Sequence, residues 1–469
     1  MIEKEFIFGG ITMRKKITSL FLSITILSVA FLFTACGEKK TDMGMGNSAE
    51  KGSVYFLNFK PESASVYEEI AKEYKKEKGV NVKVVTAAAN TYEQTLKSEI
   101  AKSGAPTIFQ VNGPIGYETW KDYCLDIKDS KLYSYLDDKT LAIKGKDDGI
   151  YAIAYVVEGY GIIYNEAIMD KYFALSSNKT HIKSMDEIKN FEALKAVTED
   201  MTAHKSELGI EGVFASTSLY SGEDWRWQTH LLNVPLYYEF KDNEDYSDPT
   251  LAGLNSKEIA FNNSQNYRNL FDLYTNNSLT KKTLLGSKST DDSMAEFALG
   301  KVAMVQNGNW AWSQIAKVNG NTVKKENIKF LPLYTGIKGE ENQGLCIGTE
   351  NYIAINKKAK EADRKASLDF LDWLFSSEKG KDYVTNKLDF ITPFNTFKED
   401  ELPDDPLAKE VVRYMRNDNL NTVPWIFTSF PNENFKTQVG SSLLDYVQGD
   451  KKWEDVEKTV KDKWKSERG

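Results

Sequence analysis

The sequence predicts an α/β protein of more than one domain, and three observations carry that reading. Apolar and amphipathic segments alternate as strand, helix, strand, helix, strand over residues 54–111. The chain expected after export is 434 residues long, the 469 of the whole less 35, which is more than one hydrophobic core usually serves. Two long apolar paths are each interrupted by glycines, as segments are that leave one sheet for another.

Each element follows from its pattern. Val54 to Phe59 is a short apolar run of the kind a buried strand needs. Residues 62–78 place Val66, Ile70 and Tyr74 on one helical face, and Gly79 stops the helix. Residues 80–85 alternate as a second strand, 92–102 read as a helix and 106–111 as a third strand. Those spacings argue for a parallel sheet with crossover helices. The first broken path runs through 151–157, meets Glu158-Gly159-Tyr160-Gly161 and resumes over 162–165; the second spans 344–355. Taken alone, both fit either crossings between two discontinuous lobes or the arms of ordinary β-hairpins. Between them the chain reads as helix over 185–199, 256–276 and 293–300, the last leading into a strand at 302–305. Further helices are expected over 359–375, 377–386, 405–417 and 436–447.

The N-terminus carries an address. After Met13, the basic Arg14, Lys15 and Lys16 precede an apolar run over 17–33 that ends in Thr34-Ala35-Cys36-Gly37. That is the layout of a cleaved signal peptide over residues 13–35, and the run is short and serine-bearing for a membrane-spanning helix. Thr-Ala-Cys resembles the lipobox of bacterial lipoproteins, which implies that Cys36 becomes the lipid-modified first residue; an uncleaved signal anchor is the alternative. Residues 1–12 are expected to be an upstream extension, with translation starting at Met13. Residues 36–52 are polar and glycine-bearing and read as a flexible tether.

Composition excludes several functions. The net charge is −8, and residues 1–35 hold four basic and two acidic groups, so their loss leaves the mature chain near −10. An acidic protein repels phosphate backbones, and no nucleic-acid partner is expected. Only His181, His204 and His230 are present, none at ligand spacing with another, which disfavours a metal site or a histidine-based triad. No cofactor and no metal are expected. Cys124 and Cys346 have apolar flanks that suit buried free thiols better than a disulfide.

Residues 295–312, Ala-Glu-Phe-Ala-Leu-Gly-Lys-Val-Ala-Met-Val-Gln-Asn-Gly-Asn-Trp-Ala-Trp, give a helix, a strand and an Asn-Gly-x-Trp loop in succession. With Gly161-Ile162-Ile163-Tyr164-Asn165, the stretch 348–355 and the aromatic helix over 365–375, they resemble the extracellular solute-binding proteins of carbohydrate ABC importers, the class that includes maltose-binding protein. The resemblance covers nearly all of the mature chain. It implies the two-lobed periplasmic-binding-protein fold, type II-like, with discontinuous lobes: one at 53–157 plus 351–395, the other at 159–345 plus 397–469. The broken paths become hinges near 158 and 346–350. The implied function is capture of an oligosaccharide by closure of the lobes and delivery to the permease subunits of an ABC importer. The chain would be a non-enzymatic monomer, lipid-anchored on the extracytoplasmic face of the cell membrane.

A sugar ring offers an apolar face and a rim of hydroxyls, so its site needs planar aromatics and fork-like polar groups. Asp224, Trp225 and Trp227 sit together in Gly222-Glu223-Asp224-Trp225-Arg226-Trp227, and two tryptophans among polar neighbours are awkward to bury because each N–H needs a partner. Trp310 matches the aromatic platform of the resembled family; Trp312 reads as core. Asn307 and Asn309 can offer donor and acceptor together. Asn58, Lys60 and Glu62 follow the first strand, Gln110 and Asn112 end the third, and such strand ends are where clefts of open α/β sheets form. Glu158 and Glu350 lie in the two broken paths, and the resemblance places the former where sugar is often touched. Trp425, Phe430 and Asn434 come from a region similar to the family's C-terminal aromatic contact, and the sequence leaves open which aromatic faces the cleft. Two competing readings share the export signal. A glycoside hydrolase would need two carboxylates across the scissile bond, with Glu158, Glu223 and Asp224 eligible; a binding protein for a non-sugar solute would keep the two lobes.

Overall fold

The computed structural model describes residues 51–88, 91–246 and 248–468. The upstream extension, the signal peptide, Cys36 and all but the end of the tether lie outside the described residues.

Among the described residues, twelve strands form two six-stranded sheets. In chain order they are β1 (Val54–Asn58), β2 (Val82–Thr86), β3 (Ile108–Asn112), β4 (Ala142–Lys144), β5 (Ile150–Ala154), β6 (Glu158–Asn165), β7 (Gly212–Phe214), β8 (Val302–Gly308), β9 (Ile328–Leu331), β10 (Gln343–Gly348), β11 (Asn351–Ile355) and β12 (Asn421–Val423). The first sheet runs β2-β1-β3-β11-β5-β4. β1 lies parallel to β2 and β3, as the N-terminal alternation requires, and β11 enters antiparallel between β3 and β5. Every residue of β1 is buried, because helices cover both faces of the strand.

The second sheet runs β12-β10-β6-β8-β7. β6 is its organising strand: its first half pairs with β10, its second half with β9, and β8 lies along its other side. All eight residues of β6 are buried. β5 and β6 belong to different sheets, as do β10 and β11, so both glycine-broken paths pass from one sheet to the other and neither is a hairpin. A third link is the bridge between Val157 and Ile391, where the Val157 N–H donates to the Ile391 carbonyl at 2.7 Å.

The helices follow the sequence where caps are simple and depart from it where side chains compete with the backbone. Ala64–Lys78 ends at Gly79 in the left-handed conformation, as expected. The stretch 185–199 is not one helix: Asn190 is extended and accepts the Ala193 N–H, so the α-helix begins only at Phe191. The helix expected over 256–276 starts at Ser264, after Phe261 adopts a positive φ, and Asp248 caps a separate helix Pro249–Asn255. Helix Trp453–Arg468 was not expected, although Trp453, Val456, Val460 and Trp464 bury one face at helical spacing. Cys124 and Cys346 are buried and unpaired. No helix among the described residues is long and apolar enough to cross a membrane.

Candidate functional site

The crossings are built around one ion pair. At the end of β1, Asn58 turns the chain: its side-chain amide donates to the Lys60 carbonyl at 2.8 Å, and its side-chain oxygen accepts the Lys60 N–H at 3.2 Å. This aims the Lys60 ammonium at Glu158, the first residue of β6, at 2.8 and 2.9 Å from its two oxygens. Glu62 lies 3.8 Å from the same nitrogen. Burial alone would lower the Lys60 ammonium, but Glu158, Glu62 and Glu350 together hold it above its ordinary range. Burial pushes the Glu158 carboxyl up, and Lys60 pulls it back. Gln110 supports the same corner, its carbonyl oxygen accepting the Phe59 N–H at 2.6 Å and its amide donating to the Tyr155 hydroxyl at 2.5 Å. Asn58 and Gln110 therefore spend their polar atoms on positioning the loop.

Beside this corner the second sheet assembles an aromatic cluster. Trp225 and Trp310 have ring centroids 5.9 Å apart, and Trp310 and Trp425 lie 6.4 Å apart, nearly perpendicular. His230 stacks flat on Tyr160 at 4.0 Å and meets the edge of Trp225 at 4.8 Å. Trp225 and Trp310 are half-buried, whereas Trp425 is 4% exposed. Gly308 permits the arrangement, because a Cβ there would come within 2.1 Å of the Trp310 ring folded back across it. Arg226 packs under Trp225, its guanidinium 4.0 Å from the ring. Burial, with Arg226 and Lys436 nearby, drives the His230 imidazole well below its ordinary value, so it is neutral. It sits on a π-helical turn, Arg226–Leu231, just ahead of Pro235. Proline has no N–H for the regular ladder, and such turns recur at functional sites.

Gly113, just past β3, continues the β3–β11 ladder and meets the segment that follows β12. Gly113, at φ +61°, donates its N–H to the Glu350 carbonyl at 2.8 Å, and a Cβ on it would stand 2.6 Å from Cβ of Thr428.

Other residues expected at the site lie elsewhere. Trp227 is in the core against Phe271 and Tyr274, and its N–H is satisfied by the Thr217 carbonyl at 3.2 Å, the partner its burial requires. Phe430 is sealed against Phe435 and Trp464. Asn434 is exposed and donates to Glu467 on the C-terminal helix. Asn307 turns to the other side of its sheet, donating to the Met294 sulfur at 3.4 Å. Asn309 locks its loop to β6 by exchanging two hydrogen bonds with Gly159. Asp224 is buried beside Gly440, its carboxyl pushed up to about 6 by burial. The carboxylates eligible for hydrolysis are thus engaged: Glu158 by Lys60, Glu223 by the Thr290 N–H, Asp224 in the protein interior.

Four residues near the site escaped the sequence reading: Tyr160, His230, Thr349 and Asn351. Tyr160 is placed by its stack on His230, and for the other three the signal is chemical. His230 Nδ1, Trp425 Nε1, Gln228 Oε1, Thr349 Oγ1, Asn351 Oδ1 and Asn112 Oδ1 are all buried without a hydrogen-bond partner. Buried polar atoms are rarely left so in a folded chain. Among the described residues no group of three or more His, Cys, Asp or Glu could hold a metal ion.

The fold is shared with solved binding proteins. A chitin oligosaccharide binding protein superposes with a TM-score of 0.68 at 18% identity, over 90% of this chain and 100% of that one. The solute-binding protein RafE bound to raffinose gives 0.67 at 16%, over 89% and 100%. Lmo0181 from Listeria monocytogenes, an ABC substrate-binding protein in complex with cycloalternan, gives 0.63 at 16%, over 89% and 99%. A sequence comparison with curated proteins finds no match. The sequence pattern of the bacterial extracellular solute-binding proteins matches residues 69–410, from the first helix to the helix Pro406–Met415 that packs on β9 and β10. With its paired sheets, its two crossings and that match, this chain belongs to the bacterial extracellular solute-binding protein family.

Proposed function

We propose that the protein captures an oligosaccharide between its lobes and hands it to the membrane subunits of an ABC importer, without chemistry of its own. The observation that carries this reading is the cluster of Trp225, Trp310 and Trp425, mutually inclined and next to buried polar atoms that lack partners. Indole faces suit the C–H face of a sugar, and the unmet donors and acceptors suit its hydroxyls. Structural relatives at low identity include proteins solved with raffinose, stachyose and cycloalternan, which supports a glycan over a small charged solute.

In this reading the lobes are residues 53–157 plus 351–395 and 159–345 plus 397–469, turning about segments near 158 and 346–350. A ligand that touches both lobes favours the shut state only by its differential affinity for it. Cys36 anchors the monomer to the membrane, and the tether of residues 36–52 gives it reach. The family's extracellular station fits this placement.

Thermal unfolding against a panel of oligosaccharides tests the proposal, because a ligand that binds only the folded chain raises Tm by mass action. A saturable rise with at least one oligosaccharide is expected; a panel without effect, alongside a response to amino acids or polyamines, would move the protein to another solute class.

A further inference from the structure

At the second crossing the structure gathers hydrogen-bond acceptors and leaves them without donors. Asn112 and Asn351 stand directly opposite each other on β3 and β11. The Asn351 amide nitrogen donates to Glu350 Oε1 at 3.3 Å, which brings its side chain to that carboxylate. Its own carbonyl oxygen has no partner, although the residue is only 1% exposed. Asn112 Oδ1 and Thr349 Oγ1 are equally buried and unpartnered.

Glu350 itself has no cation within ion-pair distance among the described residues. The two nearby ammonium groups are committed elsewhere, Lys60 to Glu158 at 2.8 Å and Lys436 to Glu433 at 2.7 Å. A carboxylate held away from water without a counter-charge is costly. Burial pushes the Glu350 carboxyl up to about 7, with Lys60 and Lys436 opposing and Glu158 adding to the rise. The residue is nonetheless partly exposed, so a ligand in the cleft can reach it.

We infer that the glycan brings a protonated amine to this corner, so that the ligand is an oligosaccharide containing an amino sugar; this rests on the oligosaccharide reading above. A hydroxyl could serve one orphaned acceptor but would leave the carboxylate charge unmatched. A uronate would set a like charge beside Glu350, Glu158 and Glu62. An ammonium supplies three N–H donors and the missing charge together, for Glu350, Asn351 and Asn112 in one place.

Calorimetric titration of the full chain with a β-1,4 glucosamine tetramer, its N-acetylated counterpart, raffinose and maltotetraose tests this. The glucosamine tetramer is expected to bind at least about tenfold more tightly than every neutral probe, and Glu350→Gln, shown folded by its cooperative melt, to weaken it by about the same factor. A neutral probe that matches or exceeds the glucosamine tetramer overturns the inference, as does a preference that survives Glu350→Gln. If none of the four binds while another oligosaccharide raises Tm, this inference falls and the oligosaccharide reading stands; if no oligosaccharide of the panel raises Tm, both fall.

Discussion

Lys60 Nζ meets both carboxylate oxygens of Glu158, at 2.8 and 2.9 Å, and so ties the loop after β1 in one sheet to the first residue of β6 in the other. The pair is buried on both sides. It satisfies from within a carboxylate that the sequence expected to meet sugar.

Removing one partner strands the other. Lys60→Met is expected to destabilise the fold by about 3–5 kcal/mol, because Glu158 remains as a buried unpaired charge. Lys60→Met with Glu158→Gln should recover much of that loss, since two apolar or neutral groups need no counter-charge. Denaturant unfolding of the native chain, Lys60→Met, Glu158→Gln and the double variant measures the cycle, and additive losses would mean the pair contributes no coupling.

Gly113 stands against Thr428. At φ +61°, with Thr428 2.6 Å from a Cβ built on it, the position admits no larger residue unless Thr428 moves away. Under the closure proposed above, Gly113→Val should hold the lobes apart and weaken ligand binding by at least about 1.4 kcal/mol, a factor of ten. X-ray scattering with saturating ligand should then report a larger radius of gyration than for the native chain.

Trp225 and Trp227 separate stability from binding. Trp227→Ala removes a ring packed against Phe271 and Tyr274 and should cost about 3–5 kcal/mol of folding stability. Trp225→Ala, half-buried over Arg226, should leave the chain folded and lower affinity instead. Melting and titration of both variants check the split.

Glu350 sets a pH dependence. Its carboxyl is raised by burial to about 7 in the folded chain, so between the ordinary carboxylate value and about 7 the native state binds more protons than the unfolded one. Stability therefore falls as pH rises through that window. Asp224 and Asp405, raised by burial to about 6 and about 7, add slopes of the same sign. Glu350→Gln should flatten part of the decline in Tm across this window, and an unchanged profile would show that its carboxyl titrates normally.

Much of the fold was legible because its signals are local. The β1 to β3 alternation, the stop at Gly79 and the strand at Val302 need only periodicity and one glycine. The crossings were legible as glycine-broken paths, but only strand pairing shows that β5 and β6 lie in different sheets. The site was less legible, because its chemistry depends on where side chains point. Trp225 and Trp227 look alike in sequence, yet one lies in the cluster and the other gives its N–H to Thr217 in the core. Asn307 and Asn309 flank one glycine, yet Asn307 gives its amide N–H to the Met294 sulfur while Asn309 accepts the Gly159 N–H. His230 had no motif to announce it; its place comes from the flat stack on Tyr160.

Oligosaccharide capture at the tryptophan cluster is tested most directly by titrating the native chain and Trp310→Ala calorimetrically with whichever oligosaccharide raises Tm most. A native Kd in the micromolar range, about −8 kcal/mol, and at least tenfold weaker binding by a cooperatively folding Trp310→Ala are expected. Equal affinity in the two proteins would contradict a glycan seated on that ring.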